Sequence, residues 1–245
     1  VPVGWEFYEI SDVAKEYPDT KFIWVDNPAE GIEDLPNVLC ILYAQNEGSF
    51  LAGYIAASMS ETGVVGAVGG EDNDTINDFL IGYKEGAQYA NPDIKVVTNY
   101  ANTYEDPAKG KECALALNSQ GADVVFAVAG NTGNGVFAAA KEKGFYVIGV
   151  DQDQKLSAPE YDEQIICSMK KEVGTSVYDT VKALIEDDTW DGGRIWTADM
   201  ATGYVSMAYG DENSTQQVSD DLKKATDDIQ NKIVAGEITV STARK

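Results

Sequence analysis

Side chains suited to holding a small molecule follow several apolar segments of this chain. Asp151 comes directly after YVIGV, and a carboxylate there could accept hydrogen bonds from two hydroxyl groups or from a ring N–H. Tyr104 lies in NTYEDP, where an aromatic ring could stack on a planar ligand or pack against its own helix. Lys170 and Lys171 close IICSM, and one of them could donate to the same ligand. The alternative for the three charged positions is a solvated loop or, for Asp151, a helix cap.

The glycine-rich segment GNTGNG, residues 130–135, follows an apolar strand and opens a helix, as a dinucleotide-binding turn does. Its spacing is G-x-x-G-x-G, however, and the dinucleotide fingerprint is G-x-G-x-x-G. The phosphate-binding pattern G-x-x-x-x-G-K-[ST] is absent from the sequence. Three interpretations stay open: a phosphate site, a neutral polar contact that begins at Gly130, or a tight turn without a ligand.

The residues that most enzymes use for acid–base or nucleophilic chemistry are missing, because the chain contains no histidine. Acidic residues are plentiful but show no spacing typical of a glycosidase. A Schiff-base enzyme that uses Lys170 or Lys171 stays open. Cys40, Cys113 and Cys167 lie in or beside apolar stretches without a CxxC motif, which favours buried free thiols. The sequence therefore predicts no enzyme, no cofactor and no metal.

The charge balance argues against nucleic acids and anionic membranes as partners. The net charge is −23, from 41 acidic and 18 basic residues, and such a surface repels nucleic acids and anionic membranes. A hydrophobic content of 44% predicts a folded core. The chain lacks an apolar run long enough to span a membrane. Residues 1–3 resemble the end of a strand, so we expect the sequence to be a mature or trimmed piece of a longer protein.

Strand and helix patterns alternate along the chain. Apolar strand-like runs occupy residues 21–26, 38–44, 64–70, 94–101, 123–129, 146–151 and 165–170, with shorter ones at 194–200 and 204–210. Helical patterns occupy 6–17, 45–63, 71–91, 107–121, 135–144, 172–190 and 218–237. This alternation predicts an α/β protein whose parallel sheet is covered by helices on both faces. One large sheet, or two smaller sheets facing each other across a cleft, would both fit.

Five blocks carry a resemblance to a known family. They are, in order, YPDTKFIWVD, GVVGAVGG, the long segment from NTYEDPAKGKE to AAAKEKG, GVDQDQ and CSMKK. The series resembles the basic-membrane-protein family of substrate-binding lipoproteins, whose best-known members are purine-nucleoside receptors that feed ABC transporters. The resemblance implies the type I periplasmic-binding-protein fold, with two doubly wound parallel-sheet lobes joined by crossover strands and a ligand in the cleft.

The resemblance also implies lobe boundaries. We expect residues 1–63 to be the remainder of lobe 1, with the boundary in the break at residues 60–63. Residues 64–166 would form lobe 2, and residues 167–190 a crossover and return to lobe 1. Residues 191–245 would be shared between the lobes. The family's N-terminal block, with its D-x-S-F-N motif and a second stacking aromatic, is absent, so the first lobe would be incomplete.

The family's ligand-binding residues can be carried over to matching positions. Tyr104, where the family has Phe, would stack on the base, and Gly130 opens the glycine-rich turn. Asp151 would hold the ribose hydroxyls. The family lysine matches Lys171, with Lys170 as the alternative.

Two positions near the start of the chain complete the predicted site. Glu9 matches a family acid, and Trp5 is an aromatic that could stack on a ligand or pack against the protein.

The implied function is that of a solute-binding component of an ABC importer, which binds a nucleoside-like molecule without chemistry. Its partners would be a purine nucleoside and an ABC transporter permease. The protein would be extracytoplasmic, at the cell surface or in the periplasm, and tied to the membrane through a lipid anchor outside this chain. The alternatives are a ligand-sensing protein of the same fold that presents its signal molecule to a membrane receptor and, less favoured, an α/β enzyme acting on a nucleotide or sugar.

Overall fold

The computed structural model describes residues 1–4, 7, 10–28 and 30–244, and its chain divides into two compact units. Unit 1 comprises Val1–Ala44 and Glu172–Tyr204, and unit 2 comprises Gln45–Lys171 and Val205–Lys245. The chain therefore passes from one unit to the other three times. This confirms the predicted α/β fold of two lobes joined by crossing segments.

Unit 1 contains a parallel sheet of three strands in the order β1 (Phe22–Val25), β2 (Val38–Tyr43) and β8 (Arg194–Ala198), numbered along the chain. Trp24 and Cys40 pair across the first two strands and lie in an apolar core with Val38. Val3 forms an isolated parallel bridge with Val25, so the start of the chain runs beside β1. Its α-helices are α1 (Ile10–Glu16) and α7 (Val173–Asp187).

Unit 2 contains a six-stranded sheet in the order β4-β3-β5-β6-β7-β9. Its strands are β3 (Val64–Gly69), β4 (Lys95–Tyr100), β5 (Val124–Val128), β6 (Tyr146–Asp151), β7 (Ile165–Lys171) and β9 (Val205–Ala208). Its helices are α2 (Gln45–Met59), α3 (Asp74–Ala90), α4 (Pro107–Ser119), α5 (Gly133–Lys143), α6 (Gln154–Ser157) and α8 (Asp220–Val234).

The last strand differs in direction from the other strands of this sheet. β9 runs antiparallel to β7, with Lys171 opposite Val205. The chain leaves unit 2 after Lys171 and re-enters it at Val205. The returning strand therefore starts at the edge where β7 stops, and it can pair with β7 only in the opposite direction.

Helices cover both faces of the six-stranded sheet, as predicted. On β5, Val125 lies in a buried cluster with Leu117 of α4 and Phe137 of α5. The next residue, Phe126, points the other way and contacts the rings of Phe79 and Tyr83 in α3. This alternation follows from the two-residue period of a strand, and it explains why β5 is apolar at every position.

The first boundary between the units differs from the predicted one at residues 60–63, because α2 belongs to unit 2. Gly82 and Gly86 of α3 lie directly against the backbone carbonyls of Asn46 and Phe50 in α2, and a Cβ at either glycine would overlap those carbonyls. Such close helix contact requires small residues. It holds α2 against α3, so the boundary falls between Ala44 and Gln45.

The C-terminal segment is fastened to α3 by one buried carboxylate. Asp78, 1% exposed, accepts hydrogen bonds from the Thr242 hydroxyl and the Ala243 N–H, each at 2.6 Å. Its second oxygen contacts Arg244 Nε at 3.2 Å and Gln45 Nε2 at 3.2 Å. The carboxylate therefore joins residues 242–244 to the helices of unit 2.

In the described ranges 10–28 and 30–244, none of the helices has the length and apolarity needed to cross a membrane.

We expect Asp78→Ala to destabilise the protein by about 2–4 kcal/mol, because it removes the buried acceptor shared by the Thr242 hydroxyl, the Ala243 N–H and the Arg244 side chain. Chemical denaturation at neutral pH measures this change. The matched control is Glu212→Ala, which removes an exposed carboxylate of the same unit and should change the free energy of unfolding by less than about 0.5 kcal/mol. Equal effects of the two variants would contradict this role for Asp78.

Candidate functional site

The carboxyl ends of the parallel strands of unit 2 meet at one edge of the sheet, where ligands bind in open α/β sheets. Asp151 and Lys171 are the last residues of β6 and β7. Gly130 follows β5, and Tyr104 lies in the loop after β4. The fold therefore brings four of the predicted site residues to the same edge.

Tyr104 is held by contacts with two neighbouring segments, the loop between β3 and α3 and the glycine-rich turn. Its ring lies on the backbone of Gly70, where a Cβ would overlap the ring. Its hydroxyl accepts a hydrogen bond from Asn73 Nδ2 at 2.9 Å. Its carbonyl accepts the N–H of Thr132 at 2.9 Å. The ring therefore has one fixed position at the sheet edge.

Thr132 connects the loop of Tyr104 to the glycine-rich turn. The hydroxyl of this fully buried residue donates to the Thr103 carbonyl at 3.1 Å and accepts the Asp106 N–H at 2.9 Å. Neither Thr132 nor Asn73 was among the residues that the sequence singled out. Asn73 carries the local signal of an N-cap, since its side chain accepts the Ile76 N–H at the start of α3. For Thr132 the sequence offers no comparable signal.

The glycine-rich turn forms part of this edge of the sheet. Gly130 has a φ of 54°, in the left-handed region, and a Cβ built on it would lie 3.4 Å from Cβ of Tyr104. Gly135 lies against the Pro107 carbonyl, where a Cβ would overlap it. The two glycines thus serve backbone conformation and close helix contact, which explains their presence without a phosphate.

A pocket of about 280 Å³ lies next to this turn. Residues of the β5–α5 turn, the end of β6 and α6 line it, among them Gly130, Asn131, Asn134, Asp151, Gln154 and Ser157. Gly130 therefore lies against Tyr104 and, together with Asp151, also lines this pocket.

Asp151 is exposed and has a φ of 67°, a left-handed conformation that non-glycine residues rarely adopt. The loop behind it is held by Gln154, whose Oε1 accepts the Val150 N–H at 2.7 Å. The Gln154 N–H donates to Ser168 Oγ on β7 at 3.0 Å. The unusual backbone geometry of Asp151 is therefore fixed by its neighbours.

The two candidate lysines face different surroundings. Lys170 is the register partner of Asp151 across β6 and β7. Lys171 is buried, with its Nζ over the ring of Phe79 at 5.6 Å from the centroid. Trp5 and Glu9, the other two predicted site residues, lie outside the described residues.

A buried lysine supports the loop that carries Asp151. Lys155, whose side chain is fully buried, donates to the carbonyls of Asp162 at 2.7 Å and Ile165 at 2.5 Å. It also donates to Gln217 Oε1 at 3.1 Å and forms an ion pair with Asp162 Oδ1 at 3.0 Å. These contacts tie α6 to β7 and to the segment before α8. Lys155 is therefore a structural residue, and no local pattern in the sequence indicates this role.

The surroundings of Asp162 shift its acidity. Burial by itself would raise the pKa of this carboxyl, but hydrogen bonds from Thr215 and the contact with Lys155 outweigh it. The pKa of Asp162 therefore lies below its usual value.

Within the ranges 10–28 and 30–244, no cluster of three or more acidic or cysteine side chains could hold a metal ion.

Comparisons with known proteins agree with this architecture. Residues 1–244 match the family described as PnrA-like ABC transporter substrate-binding proteins. Basic membrane protein A2 of Borrelia garinii subsp. bavariensis is 35% identical over 240 residues, which cover 95% of this chain and 69% of that protein. BmpA of Lactococcus lactis subsp. cremoris, an ABC transporter nucleoside-binding protein, is 37% identical over 244 residues, 94% of this chain and 67% of that one.

Solved structures share the fold. A solute-binding protein of an ABC transporter system from Aeropyrum pernix K1 superposes with a TM-score of 0.85 at 28% identity, covering 99% of this chain and 77% of that one. A transcriptional activator of the comK gene from Bacillus halodurans gives a TM-score of 0.80 at 23% identity, covering 96% and 78%. The second likeness concerns the fold alone.

The lowered pKa of Asp162 predicts a pH-dependent contribution to stability. A carboxyl whose pKa is lowered by folding stabilises the protein above its unfolded pKa of about 3.9 and loses this effect as the pH falls through the folded value. We expect Asp162→Asn to be less stable than the parent protein at about pH 7, and the difference to shrink as the pH falls below the unfolded pKa of about 3.9. Urea denaturation across this range measures it, with the exposed Asp93→Asn as control. A difference that does not change with pH would contradict the assignment.

Proposed function

Because the chain belongs to the PnrA-like family of ABC transporter substrate-binding proteins, we propose that it binds a nucleoside-like molecule and delivers it unchanged to an ABC importer. The proposed binding surface is the carboxyl edge of the six-stranded sheet. The observation that carries the proposal is the sequence of contacts from Tyr104 through Gly130 to the pocket that contains Asp151.

Each group at this edge suits one part of a nucleoside. The fixed ring of Tyr104 offers a stacking partner for a planar base, an interaction that every base can make. The exposed carboxylate of Asp151 can accept hydrogen bonds from the vicinal hydroxyls of a ribose. Gly130 lets the backbone approach the ligand between these two groups. We assign the donor role to Lys171, with Lys170 as the alternative, and include Glu9 and Trp5 in the proposed site.

The same arrangement supports binding without chemistry. An enzyme that cleaves a nucleoside would need a positioned acid or base and a nucleophile or activated water. The chain has no histidine, and Lys155, the fully buried lysine of this region, is engaged in structural contacts. The relative named as nucleoside-binding favours a nucleoside over other small polar molecules.

We further propose that the protein works outside the cytoplasm, attached through a lipid anchor, and that its protein partner is an ABC transporter permease. A sensor that presents the same ligand to a membrane receptor is the alternative. Co-purification with a permease supports the importer, whereas binding to a receptor domain supports the sensor.

Binding of purine nucleosides tests the function. We expect inosine, adenosine or guanosine at about 100 times Kd to stabilise the protein by roughly 2.7 kcal/mol, because the ligand binds only the folded state. Thermal denaturation measures the shift, with free D-ribose as the control compound. Chromatography of the same samples should recover the nucleoside intact. Absence of stabilisation by all three nucleosides would refute the proposed ligand class, and product formation would favour an enzyme.

We expect Asp151→Asn to weaken nucleoside binding by about 2–4 kcal/mol, because the charged acceptor of the ribose hydroxyls is lost. Asparagine tolerates the left-handed backbone, so the fold should persist. Calorimetric titration measures Kd, and the matched control is Asp188→Asn, an exposed aspartate with a φ of 51° at the end of α7. Unchanged affinity in Asp151→Asn would remove Asp151 from the site.

A further inference from the structure

The side-chain amide of Asn131 is held in a defined orientation in the pocket that contains Asp151. Asn134 Nδ2 donates a hydrogen bond to Asn131 Oδ1 at 2.7 Å, and both asparagines line the pocket. Because this contact uses the carbonyl oxygen of Asn131, the NH₂ group of Asn131 stays available as a donor. The two asparagines therefore present an oriented hydrogen-bond donor to the pocket.

The backbone of Asn131 is fixed on both sides. Gly130, the residue before it, lies against Tyr104. Thr132, the residue after it, is fully buried, and its hydroxyl is hydrogen-bonded to the loop of Tyr104. A donor with a fixed backbone and an oriented amide loses less conformational entropy on binding a ligand than a mobile side chain does. The turn that lies against the proposed stacking ring thus also carries a preorganised donor.

A ligand hydroxyl that binds Asp151 needs such a donor. A hydroxyl group donates one hydrogen bond and can accept others, whereas an ionised carboxylate only accepts. When a sugar displaces water from a pocket of about 280 Å³, its hydroxyl oxygens need donors from the protein to replace that water. Side-chain donors that line the pocket are the amides of Asn131, Asn134, Gln152 and Gln154 and the hydroxyl of Ser157.

Asn131 is the donor of this set that is both oriented and separable from the fold. Asn134 uses its NH₂ group to orient Asn131. Gln154 also has an oriented NH₂ group, because its Oε1 accepts the Val150 N–H, but Gln154 holds the loop of Asp151 through this contact and through Ser168. Its substitution would disturb that loop. Asn131 is exposed, so its side chain can be replaced without a change in the core.

We propose that Asn131 determines specificity for ribose: its NH₂ group donates to the oxygen of a ribose hydroxyl whose hydrogen Asp151 accepts, and Asn134 positions that NH₂ group. The proposal rests on the proposed function, because the hydroxyl belongs to the ligand assigned there. Asp151 and Asn131 together use both the hydrogen and the oxygen of the hydroxyl. A ligand without that hydroxyl leaves both groups without a partner, so the site selects ribonucleosides against deoxynucleosides.

Calorimetric titration of the whole chain with adenosine, 2′-deoxyadenosine and 3′-deoxyadenosine tests the role of Asn131. We expect Asn131→Ala to weaken adenosine binding about fivefold, because one hydrogen bond to the ligand is lost. The same variant should change the affinity of one of the two deoxyadenosines by less than about twofold, because that compound lacks the hydroxyl which Asn131 contacts. Its unchanged binding also shows that the variant is folded.

The matched control is Asn213→Ala, which removes an exposed asparagine of the same unit outside the pocket lining. All three affinities should stay within about twofold of the parent values.

A second variant tests the positioning role of Asn134. Asn134→Ala removes the group that orients the Asn131 amide and should weaken adenosine binding about two- to threefold. Combined with Asn131→Ala, the same substitution should cause no further loss, because Asn134 acts only through Asn131. An equal loss in the presence and absence of Asn131 would overturn the positioning role.

The outcomes separate the role of Asn131 from the proposed function. If adenosine, inosine and guanosine all fail to bind the parent protein, the proposed function is refuted and the role of Asn131 with it. If adenosine binds but Asn131→Ala leaves its affinity unchanged, or weakens adenosine and both deoxyadenosines by the same factor, the role of Asn131 is refuted and the function stands. A loss confined to adenosine and to one deoxyadenosine supports the role of Asn131.

Discussion

The hydroxyl of Thr132 joins the two loops on which the candidate site depends. This group is fully buried and both donates and accepts a hydrogen bond across to the loop of Tyr104. A buried hydroxyl without partners would destabilise the fold by about 1–3 kcal/mol, so the two loops are stable only together. Tyr104 and Gly130 are consequently set side by side by a residue that neither stacks on a ligand nor lines the pocket.

Close helix contact makes that hydrogen bonding possible. Gly110 of α4 lies against the Thr132 carbonyl, and Gly135 of α5 lies against the Pro107 carbonyl; a Cβ at either position would overlap them. The start of α5 therefore approaches α4 at backbone distance, which brings Thr132 within reach of Thr103 and Asp106. The glycine-rich turn is thus a packing element that also forms part of the candidate site.

On the other side of the site, polar contacts hold the loop of Asp151. Gln154 fixes the end of β6, and Lys155 ties α6 to β7 and to the segment before α8. These contacts compensate for the left-handed backbone at Asp151, a conformation that persists only where the surroundings stabilise it. The candidate site thus rests on two rigid supports, one around Thr132 and one around Lys155.

The sequence by itself determined the order and type of the main elements and the clustering of Tyr104, Gly130, Asp151 and Lys171 at one sheet edge. This was possible because apolar periodicity is local, and because the carboxyl ends of parallel strands must share an edge. Only the tertiary structure decided the antiparallel β9, the boundary at Ala44, and which neighbours Lys170 and Lys171 meet. It also revealed Thr132, Gln154 and Lys155 as supports. These features depend on contacts between residues far apart in the chain, such as Lys155 with Gln217 and Gly82 with Asn46, and no local pattern encodes such contacts.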